Sequence, residues 1–333
     1  MIRKLIRTVL ALAAVGTLLF FLWLSYEYRQ PRTGLPANSF FEVEKGQGVK
    51  AIAAALQKKG LIRSRQAFLL AYKLYFQPES LKAGEYAFAA PVTMKDILEA
   101  MTKGKIYLHP LTIPEGLTGQ EIARLFEAQG LLSSEAFLEA FQDTELVSGW
   151  DPLARTAEGY LFPETYYFSS KAEPPEVVGR MIGQFQSVFD YAWRRRAQEL
   201  GLSIRQVTTL ASLIEKETRK PDEKKLVAAV FHNRLRIGMK LDCDPTIIYA
   251  LKLSGDYQGR LRSRDLKLDS PYNTYRHPGL PPGPICNPGR ASLAAALWPS
   301  SDDYLYFVSR NDGSHQFSRS FREHQRAVLK YQR

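Results

Sequence analysis

Two carboxylates flank a single lysine in the stretch LASLIEKETRKPDE, Leu210 to Glu223. On a helix of about 100° per residue, Ile204, Val207, Leu210, Ala211 and Ile214 form an apolar sector. Glu215 falls at one edge of it, beside Thr208, Ala211, Ser212 and Thr218. Glu217 falls at the other edge, beside Leu210 and Leu213. The wheel does not choose between them. Small and hydroxylated neighbours would let a substrate approach Glu215 closely, and desolvation by the apolar strip would keep its carboxyl protonated near neutrality. A general acid needs that property. The plainer reading is a solvated face with an i,i+4 ion pair between Glu215 and Arg219, worth a few tenths of a kcal/mol.

Other polar groups cluster in loops further along. Asp244 stands in a DPT segment, read as a loop. Tyr272, Asn273 and Tyr275 precede a stiff run with Pro278, Pro281, Pro282 and Pro284. Such residues stack on a sugar and hydrogen-bond to it, although proline and glycine there also read as plain structural punctuation. Glu158 and Glu164 lie in the aromatic segment EGYLFPETYYF. They would line a cleft or simply be solvated in a loop.

These groups need a scaffold, and the chain is long enough to supply one. It has 333 residues, a formal net charge of +11 and 45% hydrophobic residues. That is enough for about two domains with a sizeable core. The basic balance points to anionic surroundings such as membrane headgroups or acidic wall polymers. No zinc finger, RNP-like stretch or long Lys/Arg run is present, so nucleic acid is not expected as a partner. The five histidines lack close paired spacing and CxxC is absent, so a metal site is not expected. Cys243 and Cys286 are the only cysteines, and the sequence does not say whether they meet.

The N-terminus carries an uncharged run, Thr8 to Tyr26, whose 19 residues would span roughly 28 Å as a helix. Arg3, Lys4 and Arg7 precede it. The positive-inside rule puts residues 1–7 in the cytoplasm and the body of the protein outside. The run is long for a signal peptide and no small-x-small cleavage site follows, so 8–26 reads as an uncleaved transmembrane helix. Residues 27–38, with Pro31, Gly34 and Pro36, read as a linker.

Beyond it, residues 40–62 read as a strand, a turn at Gly46 and Gly48, and a helix stopped by Gly60. The pattern returns 70 residues later over 111–132, where Gly116, Ile122, Ala123, Gly130 and Leu131 match Gly46, Ile52, Ala53, Gly60 and Leu61. Residues 81–88 and 105–113 read as strands. Further on, 176–201 reads as one long amphipathic helix. Ser203 with Gln206 opens the helix bearing Glu215, Pro221 ends it, and the next helix stops at Gly238. Residues 241–252 and 270–289 read as a loop-rich tract. Asn311 to Gly313 marks a hairpin turn. Strands that do not alternate regularly with helices argue for an α+β fold.

The first unit, residues 39–106, resembles a LysM-like module, a type that binds N-acetylglucosamine-containing glycans. A small packing domain without ligand would show the same pattern. Five further segments occur in order: EGYLFPETY, ASLIEKET, VFHNRLRIGMKLDCDPTIIYAL, SPYNTYRHPGLPPGPICNPG and DYLYFVS…GSHQFS. Together they resemble the endolytic murein transglycosylase family, the YceG-like proteins, from about residue 40 to 332. The resemblance implies a catalytic domain over 107–333, held by a single anchor at the inner membrane, that cleaves nascent peptidoglycan strands without metal or cofactor. It puts the catalytic glutamate on the first Glu of the E-K-E motif, here Glu215. It leaves Glu217, Asp244, Tyr272, Asn273, Tyr275, Glu158 and Glu164 as supporting or substrate-binding residues. It also implies work beside peptidoglycan synthases. A non-catalytic glycan-binding scaffold and a two-carboxylate muramidase are the alternatives.

Overall fold

The computed structural model describes residues 1–36 and 39–332. Ala37 and Asn38, the last two residues of the expected linker, and Arg333, the last of the expected catalytic domain, lie outside the described residues. The chain forms a mixed α+β structure of two compact units. One comprises Met1–Pro110 with Tyr167–Lys171, the other Leu111–Tyr166 with Ala172–Arg333.

The first unit opens with α1 (Ile2–Arg29), followed by β1 (Ser39–Val43), α2 (Val49–Lys58), α3 (Arg65–Tyr75), β2 (Gly84–Phe88) and α4 (Met94–Lys103). β1 and β2 pair antiparallel, Ser39 opposite Phe88 and Val43 opposite Gly84. Phe41, Val43, Tyr86 and Phe88 alternate inward, as the two-residue period of a half-buried strand requires. They meet Ile52 and Leu56 of α2, Phe68 of α3 and Ile97 of α4 in one core. Each such side chain contributes about 1.5–3 kcal/mol by leaving water.

The linker expectation needs correction. Residues 27–29 are still helical in α1, and Arg32 makes a bridge with Val92. Leu24 is fully buried in the core of this unit and Tyr28 packs against it. The end of α1 is fixed because Leu24, inside the uncharged run, and Tyr28, just past it, pack on this core, where α1 meets α3 and α4.

The 70-residue echo is structural. β3 (His109–Thr112), α5 (Gly119–Ala128), α6 (Ser134–Gln142) and β4 (Thr165–Phe168) repeat the order strand, helix, helix, strand. Gly46 and Gly116 both have positive φ, +83° and +79°, a conformation that costs glycine little. Leu61 donates to the Leu56 carbonyl and Leu131 to the Phe126 carbonyl, closing the two matching helices in the same way. The short helix α7 (Glu145–Ser148) interrupts the second copy before β4.

The rest of the second unit is largely helical: α8 (Pro174–Val188), α9 (Tyr191–Glu199), α10 (Ile204–Glu217), α11 (Pro221–Arg236), α12 (Asp244–Ser254) and α13 (Arg290–Leu297). A hairpin of β5 (Tyr306–Ser309) and β6 (His315–Ser318) and the closing helix α14 (Phe321–Tyr331) complete it. Two expectations change. The single helix over 176–201 is two, because the Asp190 side chain accepts from the Trp193 N–H and caps a new start. The tract 241–252 is not loop throughout: Asp244 is the first residue of α12, whose first turn holds Pro245, where a missing N–H costs nothing.

Candidate active site

Helix α10 starts with a capping box between Ser203 and Gln206. Val207, Leu210, Ala211, Leu213 and Ile214 are fully buried, so its azimuth is set by packing. Residues two apart on a helix differ by about 200°. Glu215 and Glu217 therefore face different neighbours.

The Glu215 side chain is only 8% exposed. Its Oε1 accepts from Lys224 Nζ of α11 at 2.9 Å, and its Oε2 accepts from the Gly289 N–H at 3.0 Å. Lys224 is itself buried and also donates to Ser292 Oγ of α13 at 2.8 Å. Glu115 approaches the same ammonium at 3.8 Å. Burial, together with the charge of Glu215, raises the pKa of Glu115. A Cβ on Gly289 would meet the Glu115 side chain, which would have to move aside. The expected apolar, substrate-facing setting of Glu215 is thus replaced by a buried ion pair tying α10, α11 and α13 together. The pair with Arg219 is also replaced, by Lys224.

Glu217 stands at the last helical turn and is half-buried. It lines a cavity of about 450 Å³ with Arg234, Asp244, Tyr275, Tyr306, His315 and His324. Burial pushes its carboxyl up to about 7. A hydrogen bond from the Cys243 thiol opposes the rise, the Asp244 charge adds to it, and His315 and Arg234 oppose it. The Tyr275 hydroxyl donates to Asp244 Oδ1 at 2.6 Å. Burial and that contact both raise the Tyr275 pKa. His315 Nδ1 lies 2.6 Å from Glu223 Oε2. Burial alone would raise the pKa of Glu223, but the His315 contacts outweigh it and hold it low. Arg234 donates to the carbonyls of Leu305 and Leu241, fixing two loops at the rim.

The remaining candidates separate. Asn273 is fully buried and does not face a ligand. Its side chain donates to the Leu266 and Leu268 carbonyls and accepts from the Tyr275 N–H at 3.0 Å, so it holds Tyr275 in place. The sugar-bonding role expected for it is corrected accordingly, because an amide with that many loop contacts is internal punctuation. Tyr272 and Glu158 line a second cavity of about 420 Å³, with Arg155, Arg205 and Tyr249. Burial pushes Glu158 up to about 8 against hydrogen bonds from the Gly119 N–H, Tyr249 and Asn287. Glu164 is exposed; its carboxylate accepts from the N–H of Thr165 and its carbonyl from the N–H of Ile113. The structure therefore brings Glu217, Asp244 and Tyr275 together and leaves the other five elsewhere.

Several residues escaped sequence reasoning. Lys224, on the helix that follows Pro221, is the partner of Glu215. Arg234 and His315 line the Glu217 cavity. Asn287 accepts from the N–H groups of Gly159 and Leu161 and donates to Glu158 and the Leu117 carbonyl. A lone Asn in an NPG turn carries no signal of such a hub. Cys243 and Cys286 are both free and buried. Among the described residues no group of three or more His, Cys, Asp or Glu side chains is placed to hold a metal.

The YceG-like family model matches residues 41–330, and the chain belongs to that family. It is 33% identical to the endolytic murein transglycosylase of Bacillus subtilis over 87% of this chain and 83% of that protein. It is 30% identical to the endolytic murein transglycosylase of Streptococcus pneumoniae over 87% of this chain and 57% of that longer protein. A crystal structure of a YceG-like protein from Listeria monocytogenes superposes with a TM-score of 0.60 at 31% identity, covering 87% of this chain and 98% of that one.

Proposed function

We propose that this protein is a membrane-anchored endolytic lytic transglycosylase. It cleaves the bond between N-acetylmuramic acid and N-acetylglucosamine inside nascent peptidoglycan strands and terminates their elongation. Family membership and the activity named for its relatives support the reaction class. One observation carries the assignment of the acid: Glu217, its pKa raised to about 7 by burial, lines the 450 Å³ cavity beside Asp244 and Tyr275. The resemblance puts the acid on Glu215, but both oxygens of Glu215 are occupied by Lys224 and Gly289. The geometry therefore supports Glu217 as acid and Glu215 as the clamp that holds its helix.

In the first step protonated Glu217 gives its proton to the glycosidic oxygen, and the bond to the muramic C1 breaks. The resulting carboxylate takes the proton of the muramic C6 hydroxyl, whose oxygen attacks C1. One proton is given and one returned, no water is consumed, and a 1,6-anhydromuramic end results. Tyr275, held by Asn273 and bonded to Asp244, offers a ring and hydroxyl for a sugar. A pKa near 7 suits a group that acts first as acid and then as base at neutral pH.

A second reading, a muramidase, is favoured by Asp244, a further carboxylate on the same cavity. Two carboxylates across the bond would activate water. Mass spectrometry of products from uncrosslinked strands separates the readings, because an anhydro end is about 18 Da lighter than a reducing end. Anhydro ends from the wild-type protein and from Glu215→Gln, but none from Glu217→Gln, are the expected result. Loss of cleavage in Glu215→Gln with its fold intact would return the acid to Glu215. Reducing ends would establish hydrolysis, and no cleavage by any form would leave a glycan-binding scaffold.

Three finer points belong to the same reading. The β1-α2-α3-β2 unit serves as a LysM-like glycan-binding module; its strand-helix-helix-strand order supports this. The basic residues Arg3, Lys4 and Arg7 support a cytoplasmic N-terminus with both units on the outer side. Peptidoglycan synthases, which make the strands this activity would cut, are the partners it implies.

A further inference from the structure

Helix α1 is long and apolar enough to cross a membrane. A hydrocarbon core of about 30 Å needs about 20 helical residues. Counted from Thr8, that demand uses the chain as far as Tyr26 or beyond. Yet Leu24 is already fully buried in the core of the first unit, and Tyr28 packs on the same core. Bilayer and folded unit therefore meet over Leu24 to Tyr28 with no spacer. The rise from Leu24 to Tyr28 is about 6 Å, and one headgroup layer is about 5–8 Å thick. What packs on these turns lies within that layer.

The contacts are specific. The Tyr28 and Tyr75 rings lie 5.1 Å apart, which puts the C-terminal end of α3 beside the exit of α1. Near the other end of α3, Arg63 sits over the Tyr26 ring at 5.5 Å and donates to the carbonyls of Gln30 and Pro31. Leu74 and Tyr75 are each 54% exposed, and Lys73 and Arg65 are exposed on the same helix. Exposed Leu and Tyr mixed with Lys and Arg, at headgroup depth, is the chemistry of an interfacial helix.

We infer that α3, through Leu74, Tyr75 and Lys73, together with Arg63 just before it, lies in the headgroup layer of the bilayer that α1 crosses and forms a second, interfacial membrane contact. The unit is thereby seated on the lipid surface instead of swinging on a tether.

The test uses the full chain in lipid nanodiscs. Leu74→Cys is labelled with an environment-sensitive fluorophore; the native cysteines are buried. Lys45→Cys, in the turn between β1 and α2, is the comparison position, since α1 packs on α3 and α4. Lipids with a spin label at the headgroup or shallow on the acyl chain quench by contact. Quenching at position 74 several-fold stronger than at position 45 is the expected result, with a blue-shifted emission at 74. Equal, weak quenching at both positions would overturn the proposal and mean that the unit stands clear of the bilayer. Both variants are exposed positions, and circular dichroism of each confirms that the comparison is between folded proteins.

Discussion

Glu215 and Glu217 leave the same helix two residues apart, and their surroundings have little in common. On one side a carboxylate is locked by a buried ammonium and a backbone amide, with α11 and α13 closed over it. On the other a carboxyl stands at the wall of a cavity, among a tyrosine, an aspartate and two histidines. Burial alone does not make a catalytic acid. What separates the two is the partner: Glu215 is paired with a buried ammonium, which favours its charged form, while Glu217 lines an open cavity with its pKa raised by burial.

The largest expected effect breaks or establishes this contrast directly. Glu217→Gln lowers the rate of strand cleavage by about 10²–10⁴-fold, the usual range for a lost general acid, while the melting temperature stays near wild type. Glu215→Gln does the reverse. Leaving Lys224 buried without its carboxylate costs roughly 3–5 kcal/mol, read as a large fall in melting temperature, and the molecules that remain folded still cleave. Glu215→Gln combined with Lys224→Met recovers part of that stability, because the uncompensated charge is gone.

The next effect is in pH. The Glu217 pKa is raised from 4.5 to about 7, so the acid form is populated below about 7 and cleavage falls as pH rises through that value. Glu158 is raised from 4.5 to about 8. A carboxyl whose folded pKa lies above its unfolded value contributes stability that is fully present below the unfolded pKa and is lost as pH rises through the folded one. The melting temperature of the wild-type protein therefore declines between about pH 5 and pH 8, and Glu158→Gln flattens the upper part of that decline without moving the cleavage profile. A cleavage profile that tracks Glu158 instead would undo the separation of the two cavities.

Smaller again is Tyr275→Phe. It removes one hydrogen bond to Asp244, about 1.5–3 kcal/mol for a charged acceptor, and shows as weaker binding of strands with a smaller change in turnover. Smallest is Glu164→Gln. Its side chain is exposed and accepts from the N–H of its neighbour Thr165, so stability and cleavage stay within about 0.5 kcal/mol of wild type.

Much of this architecture was readable in residue types. Ser203 and Gln206 announced the start of α10, Asn311 to Gly313 announced the hairpin turn, and the matched glycines at 46 and 116 announced a repeated turn. Each signal works because it is local: a cap or a positive φ is satisfied within a few residues. Asp190 and Pro245 carried equally local signals, one a cap and one a first-turn proline, but periodic or loop-like surroundings hid them. Of the site, Asp244 and Tyr275 were legible as polar and aromatic groups on exposed segments. Asn273 was not, because an amide in a loop looks the same whether it faces a ligand or bonds to its own backbone.

Hydrophobic period and short-range turn chemistry suffice for the apolar helix, the mixed α+β character, the repeat and the pair of candidate carboxylates. The difference between the two glutamates arises from packing between distant segments. A helical wheel gives direction and says nothing of what stands there. Lys224 and Gly289 reach Glu215, and Asp244, Tyr275 and His315 reach the Glu217 cavity, from segments separated along the chain. The low dielectric that shifts a carboxyl exists only once those segments have packed.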